Sequence, residues 1–211
     1  PQLLELYAES FLFNRSIPFE LPLGRSTFAT PQSDYELART AAGFGEALLS
    51  PVHAAMIAGA MANGGMIMQP YLVDSVVAPD GLVKYHAHSR VLKRAVLDST
   101  ASKVLDMMQA TVDHGTARKH FQRTRSTHLR AMRVAGKTGT LRGKNPEGVY
   151  HWFIAAAPVE DPQIAIAALV VDPGYARIGG TGLGVRFMES FFAAPPPARQ
   201  YVQRAGRYGP G

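Results

Sequence analysis

The 211-residue chain contains no cysteine, so disulfides and thiolate metal sites are excluded, although the redox compartment is not decided by that. It has no run of about eighteen apolar residues, and hence no membrane span is read from it. It has no Gly-x-Ser-x-Gly, the nucleophile elbow that a Ser-His-Asp hydrolase of the α/β type would need. Acidic residues are absent from 115 to 145, a stretch that holds Arg118, Lys119, Arg123, Arg125, Arg130, Arg133, Lys137, Arg142 and Lys144. Such a stretch reads as a solvated basic loop, or as a surface attracting anionic polymers or lipid headgroups. Aromatic residues are not interleaved with these charges, and no nucleic-acid module is recognisable, so nucleic acid is not an expected partner.

What is present suits one domain with a tail. The net charge is +6, and the hydrophobic fraction of 46% is enough for a packed core. Leu3, Leu4, Tyr7, Ala8 and Phe11 recur at helical spacing within residues 1–14, and 15–40, rich in proline and glycine, reads mostly as loop. Ser50-Pro51 marks a helix start, with Val52, Ala55, Met56, Gly59 and Ala60 as its expected packed face and Asn63-Gly64-Gly65 as its stop. Met66–Val77 alternates as strands, and Pro79-Asp80-Gly81 is a turn. Asp98 or Ser99 would cap a second helix that packs through Val104, Leu105, Met108 and Val112 and ends at Gly115.

Arg118–Arg130 reads as polar and mobile, Val134–Thr140 as a strand, and Arg142–Gly148 as a turn-rich connection. Tyr150–Pro158 and Gln163–Val171 form an apolar hairpin through Glu160-Asp161-Pro162. Their apolar residues fall on both faces, so both faces should be covered. Gly182–Phe192 is a final helix, expected to pack through Leu183, Val185, Phe187, Met188 and Phe191. Residues 194–211 read as a disordered tail rich in proline, arginine and glycine.

Chemistry concentrates at Lys137-Thr138-Gly139-Thr140. Lys137 supplies a cation, Thr138 and Thr140 supply hydroxyl donors, and Gly139 lets a ligand lie against the chain. Together they suit a carboxylate. The tetrapeptide alone would also fit an ordinary exposed strand end. Four other segments sharpen the reading: Gly43–Pro51, Ala62–Gly65 with Pro70–Val73, His114-Gly115-Thr116-Ala117, and the hairpin from His151 to Val171. In this order they resemble the transpeptidase domain of the penicillin-binding proteins, closest to the monofunctional (class B) members, over about residues 1–193.

That resemblance implies an α+β fold like those of the penicillin-binding transpeptidases and serine β-lactamases, an antiparallel sheet flanked by helices. This chain would contribute the last three of five strands and the C-terminal helix. It implies D,D-transpeptidation of peptidoglycan stem peptides through a serine acyl-enzyme, with β-lactams acylating the same serine. Lys137, Thr138, Gly139 and Thr140 would be the site residues carried here, with Lys137, Thr138 and Thr140 binding substrate. No cofactor is implied. The setting would be the extracytoplasmic face of the bacterial cytoplasmic membrane.

Two motifs of that family are missing. No lysine has a serine three positions before it; those positions are Gly81, Arg90, Thr100, Thr116, Val134 and Leu141. No serine has asparagine two positions after it. The expectation is a C-terminal portion of the domain, with the nucleophile upstream of Pro1. The missing N-terminal part, or a second chain, would cover the edge at Gln163–Val171 and part of the hairpin's apolar surface. This chain alone would leave both exposed, and so be stable only with such a partner, as an oligomer or within the intact domain. The alternatives are a non-catalytic peptidoglycan- or partner-binding module, or a fragment of a serine β-lactamase or D,D-carboxypeptidase. His86-x-His88 lacks a third ligand at suitable spacing, so no metal is expected. His151 approaches the Lys137 strand but reads as structural. The methionines sit at core spacing and read as filler.

Overall fold

A computed structural model describes residues 2–193 of the chain. The tail expected over 194–211 lies outside the described residues. The order is α1 (Gln2–Ser10), β1 (Thr27–Phe28), α2 (Asp34–Ala41), β2 (Ala47–Leu48), α3 (Pro51–Ala62), β3 (Met66–Met68), β4 (Ser75–Val77), β5 (Val83–His86) and β6 (Val91–Arg94). Then come α4 (Asp98–Asp113), α5 (Arg118–Gln122), α6 (Thr127–Ala131), β7 (Ala135–Lys144), β8 (Glu147–Ala157), β9 (Ile164–Asp172) and α7 (Gly180–Ala193). Besides three two-stranded antiparallel pairs, β1-β2, β3-β6 and β4-β5, the main element is a three-stranded antiparallel meander in the order β7-β8-β9. The fold is α+β, as expected.

Alternation along the meander assigns each residue to a face. Ala135, Lys137 and Gly139 stand opposite Ala156, Ile154 and Trp152 of β8, and therefore share a face with them. Gly136, Thr138 and Thr140 stand opposite Ala155, Phe153 and His151 on the other face. Helix α3 lies against β8 and β9, and α4 lies along β7. There Ala60, Met61, Ile67, Ala101, Met108 and Ala135 form one core, with Ile154 packed on it. Helix α7 lies against the same two strands β8 and β9, in the second core. Phe121, Leu129, Val134, Phe153, Ile166, Val185 and Met188 are members of that core. Both faces of the apolar hairpin are thus covered within this chain, by α3 on one side and α7 on the other, which corrects the expectation that part of this cover must come from elsewhere. Among the described residues, β9 has no strand on its outer edge.

Several expectations need correction. The loop read over 15–40 contains α2. Its start is a cap: the Ser33 side chain accepts from the Glu36 amide at 3.2 Å, and the Glu36 carboxylate accepts from the Gln32 amide at 2.7 Å. The spacing Ser33-x-x-Glu36 is a capping-box pattern. The polar segment 118–130 is not loose. It folds as α5 and α6, each pinned by one buried apolar residue, Phe121 or Leu129. Ser126 caps α6 through the Leu129 amide, and Thr124 Oγ1 donates to the Glu189 carboxylate.

The turn-rich connection at 142–148 is mostly strand, because β7 and β8 stay paired up to Lys144 and Glu147. Helix α4 begins after Leu97, which has no side-chain cap bond; Asp98 sits inside the first turn, where its charge favours the helix dipole. Helix α3 buries His53, Ala54, Ala58, Ala60 and Met61, so of the expected face only Ala60 is fully covered. It is packed on more than one side. Helix α7 buries Gly184, Val185 and Met188, whereas Leu183, Phe187 and Phe191 form an exposed stripe.

His53 is fully buried near the start of α3. Its Nε2 is 2.6 Å from the Phe11 carbonyl, so Nε2 carries the proton, and Nδ1 has no partner among the described residues. Burial lowers its pKa below the ordinary 6.5, against the smaller opposing effect of the Phe11 carbonyl. The unfolded chain therefore binds this proton more readily. Stability should be fully present above pH 6.5 and fall as pH drops below it, by at most about 1.4 kcal/mol per unit from this group. Denaturant unfolding of wild type and His53→Leu between pH 7.5 and 5 checks this. The variant is expected to be less stable at neutral pH but flatter; parallel curves would mean that His53 does not titrate as argued.

Candidate active site

Strand β7 carries Lys137-Thr138-Gly139-Thr140 and is paired on one side only, with β8. Alternate N–H groups along it consequently face away from the sheet. Gly136, just before the site, has to be glycine because a Cβ there would come within 2.8 Å of the Phe153 ring. Lys137 is exposed, and its ammonium donates back to the Thr138 carbonyl. Thr138 shares a hydrogen bond of 2.6 Å with Thr116, three residues past the end of α4. Thr140 is exposed and opposite His151.

The structure therefore brings together two of the sequence-derived segments, His114–Ala117 and Lys137–Thr140. It also splits the tetrapeptide: Lys137 and Gly139 lie on the α3 face, Thr138 and Thr140 on the α7 face.

Thr138, Gly139 and Thr140 form one wall of a cleft of about 150 Å3, closed by His120, His151, Trp152, Gly179, Gly180 and Thr181. No acidic side chain lines it. Asp172, at the end of β9, has its carboxyl held below the usual range, first by the Ala176 amide, then by those of Gly174 and Tyr175, each at 2.7 Å, and by the nearby His151. Of these residues, Thr116, His120, Trp152 and Gly179–Thr181 are not among the site candidates of the sequence, and His151 is read there as structural. The run Gly179-Gly180-Thr181-Gly182 was the available signal, since clustered glycines at a helix start mark close backbone approach. His86 and His88 stack edge to face at 5.6 Å, and among the described residues no three metal-ligating side chains cluster.

Comparison with known proteins decides the family. The family model described as the penicillin binding protein transpeptidase domain matches residues 1–185. The chain belongs to that family. It is 31% identical to a peptidoglycan D,D-transpeptidase, PbpA, of Mycolicibacterium smegmatis over 183 residues, covering 85% of this chain and 35% of that protein. PbpA of Mycobacterium tuberculosis is 32% identical over 168 residues, 78% of this chain and 32% of the relative.

Solved penicillin-binding proteins share the fold. The imipenem acyl-enzyme of penicillin-binding protein A from M. tuberculosis superposes with a TM-score of 0.78 at 28% identity, over 91% of this chain and 42% of that one. The D,D-transpeptidase domain of a peptidoglycan glycosyltransferase from Eggerthella lenta also gives 0.78, at 33% identity, over 91% and 48%. The chain thus spans about a third of the length of the curated relatives it matches.

Proposed function

We propose that this chain is the part of a serine D,D-transpeptidase that carries the Lys-Thr-Gly strand, and that the reacting serine is supplied by another part of the parent protein. The reaction would run in two balanced steps. The serine oxygen attacks the penultimate D-alanine carbonyl of a stem peptide; the peptide bond breaks and D-alanine leaves with the proton. An amine of a second stem peptide then attacks the ester, forms the cross-link and returns the proton to the serine oxygen. A β-lactam would acylate the same serine, in line with the acyl-enzyme that imipenem forms with the M. tuberculosis relative.

In this reading Lys137 acts through its charge, and Thr138 and Thr140 hydrogen-bond the terminal carboxylate. The Thr140 N–H gives half of an oxyanion hole, a donor worth about 3 kcal/mol in comparable sites. The unpaired edge of β7 supports this, because an oxyanion donor on the strand needs an N–H that points away from β8. The observation that carries the proposal is the Lys137–Thr140 segment on that free edge, beside an acid-free cleft, in a chain of this family. The relatives' names favour a parent that works at peptidoglycan, and so outside the cytoplasmic membrane. No described helix is long and apolar enough to cross a membrane.

Intact-mass spectrometry after exposure to penicillin is the test. The parent is expected to gain one stoichiometric adduct, and the 211-residue chain alone none, because it holds no Ser-x-x-Lys. An adduct on a serine of this chain, or none on the parent, would overturn the reading. Slow deacylation of the adduct separates a transpeptidase from a β-lactamase.

A further inference from the structure

The cleft beside the Lys-Thr-Gly strand is lined by more polar side chains than its two threonines. His151 stands directly opposite Thr140, on the same face of the sheet. Thr181 and the first turn of α7 form the far wall, and His120 of α5 closes the end. None of the side chains of His120, Thr140, His151 and Thr181 is hydrogen-bonded to a described residue, although all four line one cavity.

Glycine brings these groups together. A Cβ at Gly180 would lie 2.2 Å from the His151 carbonyl oxygen, so only glycine lets α7 begin against β8. A Cβ at Gly182 would come within 2.9 Å of the Ile178 side chain, whereas its distance to His120 Nδ1, 3.6 Å, is ordinary contact. Gly180 and Thr181, in the first turn of α7, line the cleft with the two imidazoles, and the first N–H groups of a helix have no partners within it. The nearby carboxylate of Asp172 is already held by three backbone amides and does not occupy the cleft.

We propose that His151, with Thr181 and the N-terminal turn of α7, completes the site for the substrate's terminal carboxylate. This rests on the transpeptidase reading above and extends it. A carboxylate held by Thr138 and Thr140 through one oxygen directs its second oxygen across the cleft, toward the cross-strand neighbour of Thr140. There the His151 imidazole, the Thr181 hydroxyl and the first turn of α7, all able to donate, line the cleft, with no acid among the lining residues. His151 is a binding residue in this account. The ligand class is a peptide or β-lactam bearing a free carboxylate next to the acyl group that is attacked.

The test compares acylation of the parent protein by benzylpenicillin and by its methyl ester, whose carboxylate is masked. Wild type should favour the acid strongly. His151→Ala should reduce the acid-to-ester ratio roughly tenfold, the cost of one hydrogen bond to a charged group. His151→Gln, which keeps an N–H donor, should recover part of the ratio. A purely structural role would slow acid and ester alike and leave the ratio unchanged, which would overturn the proposal. Should His151→Ala fail to fold, Thr181→Val reads the same ratio, and an unchanged value there counts equally against it. A parent that no penicillin acylates would overturn the transpeptidase reading and this inference together. A labelled parent with unaltered ratios in the variants would overturn this inference alone.

Discussion

Lys137→Ala in the parent protein is expected to slow acylation by penicillin about a hundredfold, roughly 3 kcal/mol of lost transition-state stabilisation. Lys137 makes no ion pair among the described residues; its ammonium rests on the carbonyl of the next residue. Its charge is therefore not spent on a carboxylate of the fold and can act on a substrate. In the isolated chain that charge is exposed and screened by water. Once a nucleophile-bearing wall stands opposite β7, the effective dielectric falls and the same charge has more effect. The second-order rate of labelling by a fluorescent penicillin measures this, with circular dichroism as the check on folding. An unaltered rate in a folded variant would remove Lys137 from the site.

Phe153→Ala is expected to cost about 3–5 kcal/mol of stability, the usual range for deleting a buried aromatic ring. Phe153 is fully buried on β8, opposite Thr138, and its ring centroid lies 6.1 Å from that of Phe121. Two glycines frame the ring: a Cβ would come within 2.8 Å of it from Gly136 and 2.6 Å from Gly184. Neither neighbour has a side chain that could swing into the vacated space, so the cavity should stay open. Thermal melts should show a fall in Tm of roughly 10 °C. Adding Gly184→Ala to Phe153→Ala should return part of that loss, since its methyl would occupy freed volume, whereas Gly184→Ala alone should destabilise. A cost below about 1 kcal/mol for Phe153→Ala would mean that the two helical layers close over the gap.

The parts of this molecule that could be read from sequence are those governed by local rules. Ser50-Pro51 set the start of α3, Asn63-Gly64-Gly65 its end, and the dense apolar pattern from Tyr150 to Val171 announced the hairpin. Burial was harder to read, because it depends on what lies opposite. Leu183, Phe187 and Phe191 are as apolar as Val185 and Met188, yet only the latter two are buried, and a helical period does not say which of two adjoining stripes will be. Segment 118–130 failed for a related reason. Its charge dominates the composition, while its fold depends on two residues, Phe121 and Leu129, reaching one core.

The site divides in the same way. Lys137–Thr140 is contiguous and visible in one line of sequence. The opposite wall is assembled from residues 120, 151 and 179–181, which only the pairing of Thr140 with His151 and the docking of α7 bring within reach.

The meander β7-β8-β9 has a kinetic consequence. Its strands occupy one continuous stretch, residues 135–172, joined by Asn145-Pro146 and by residues 158–163. Every pairing within it closes a short loop, so little chain entropy is lost before contacts form. The floor of the site can consequently zip up early and without help from residues far away in the sequence. The far wall must wait until α7, which follows β9, folds back onto the finished strands.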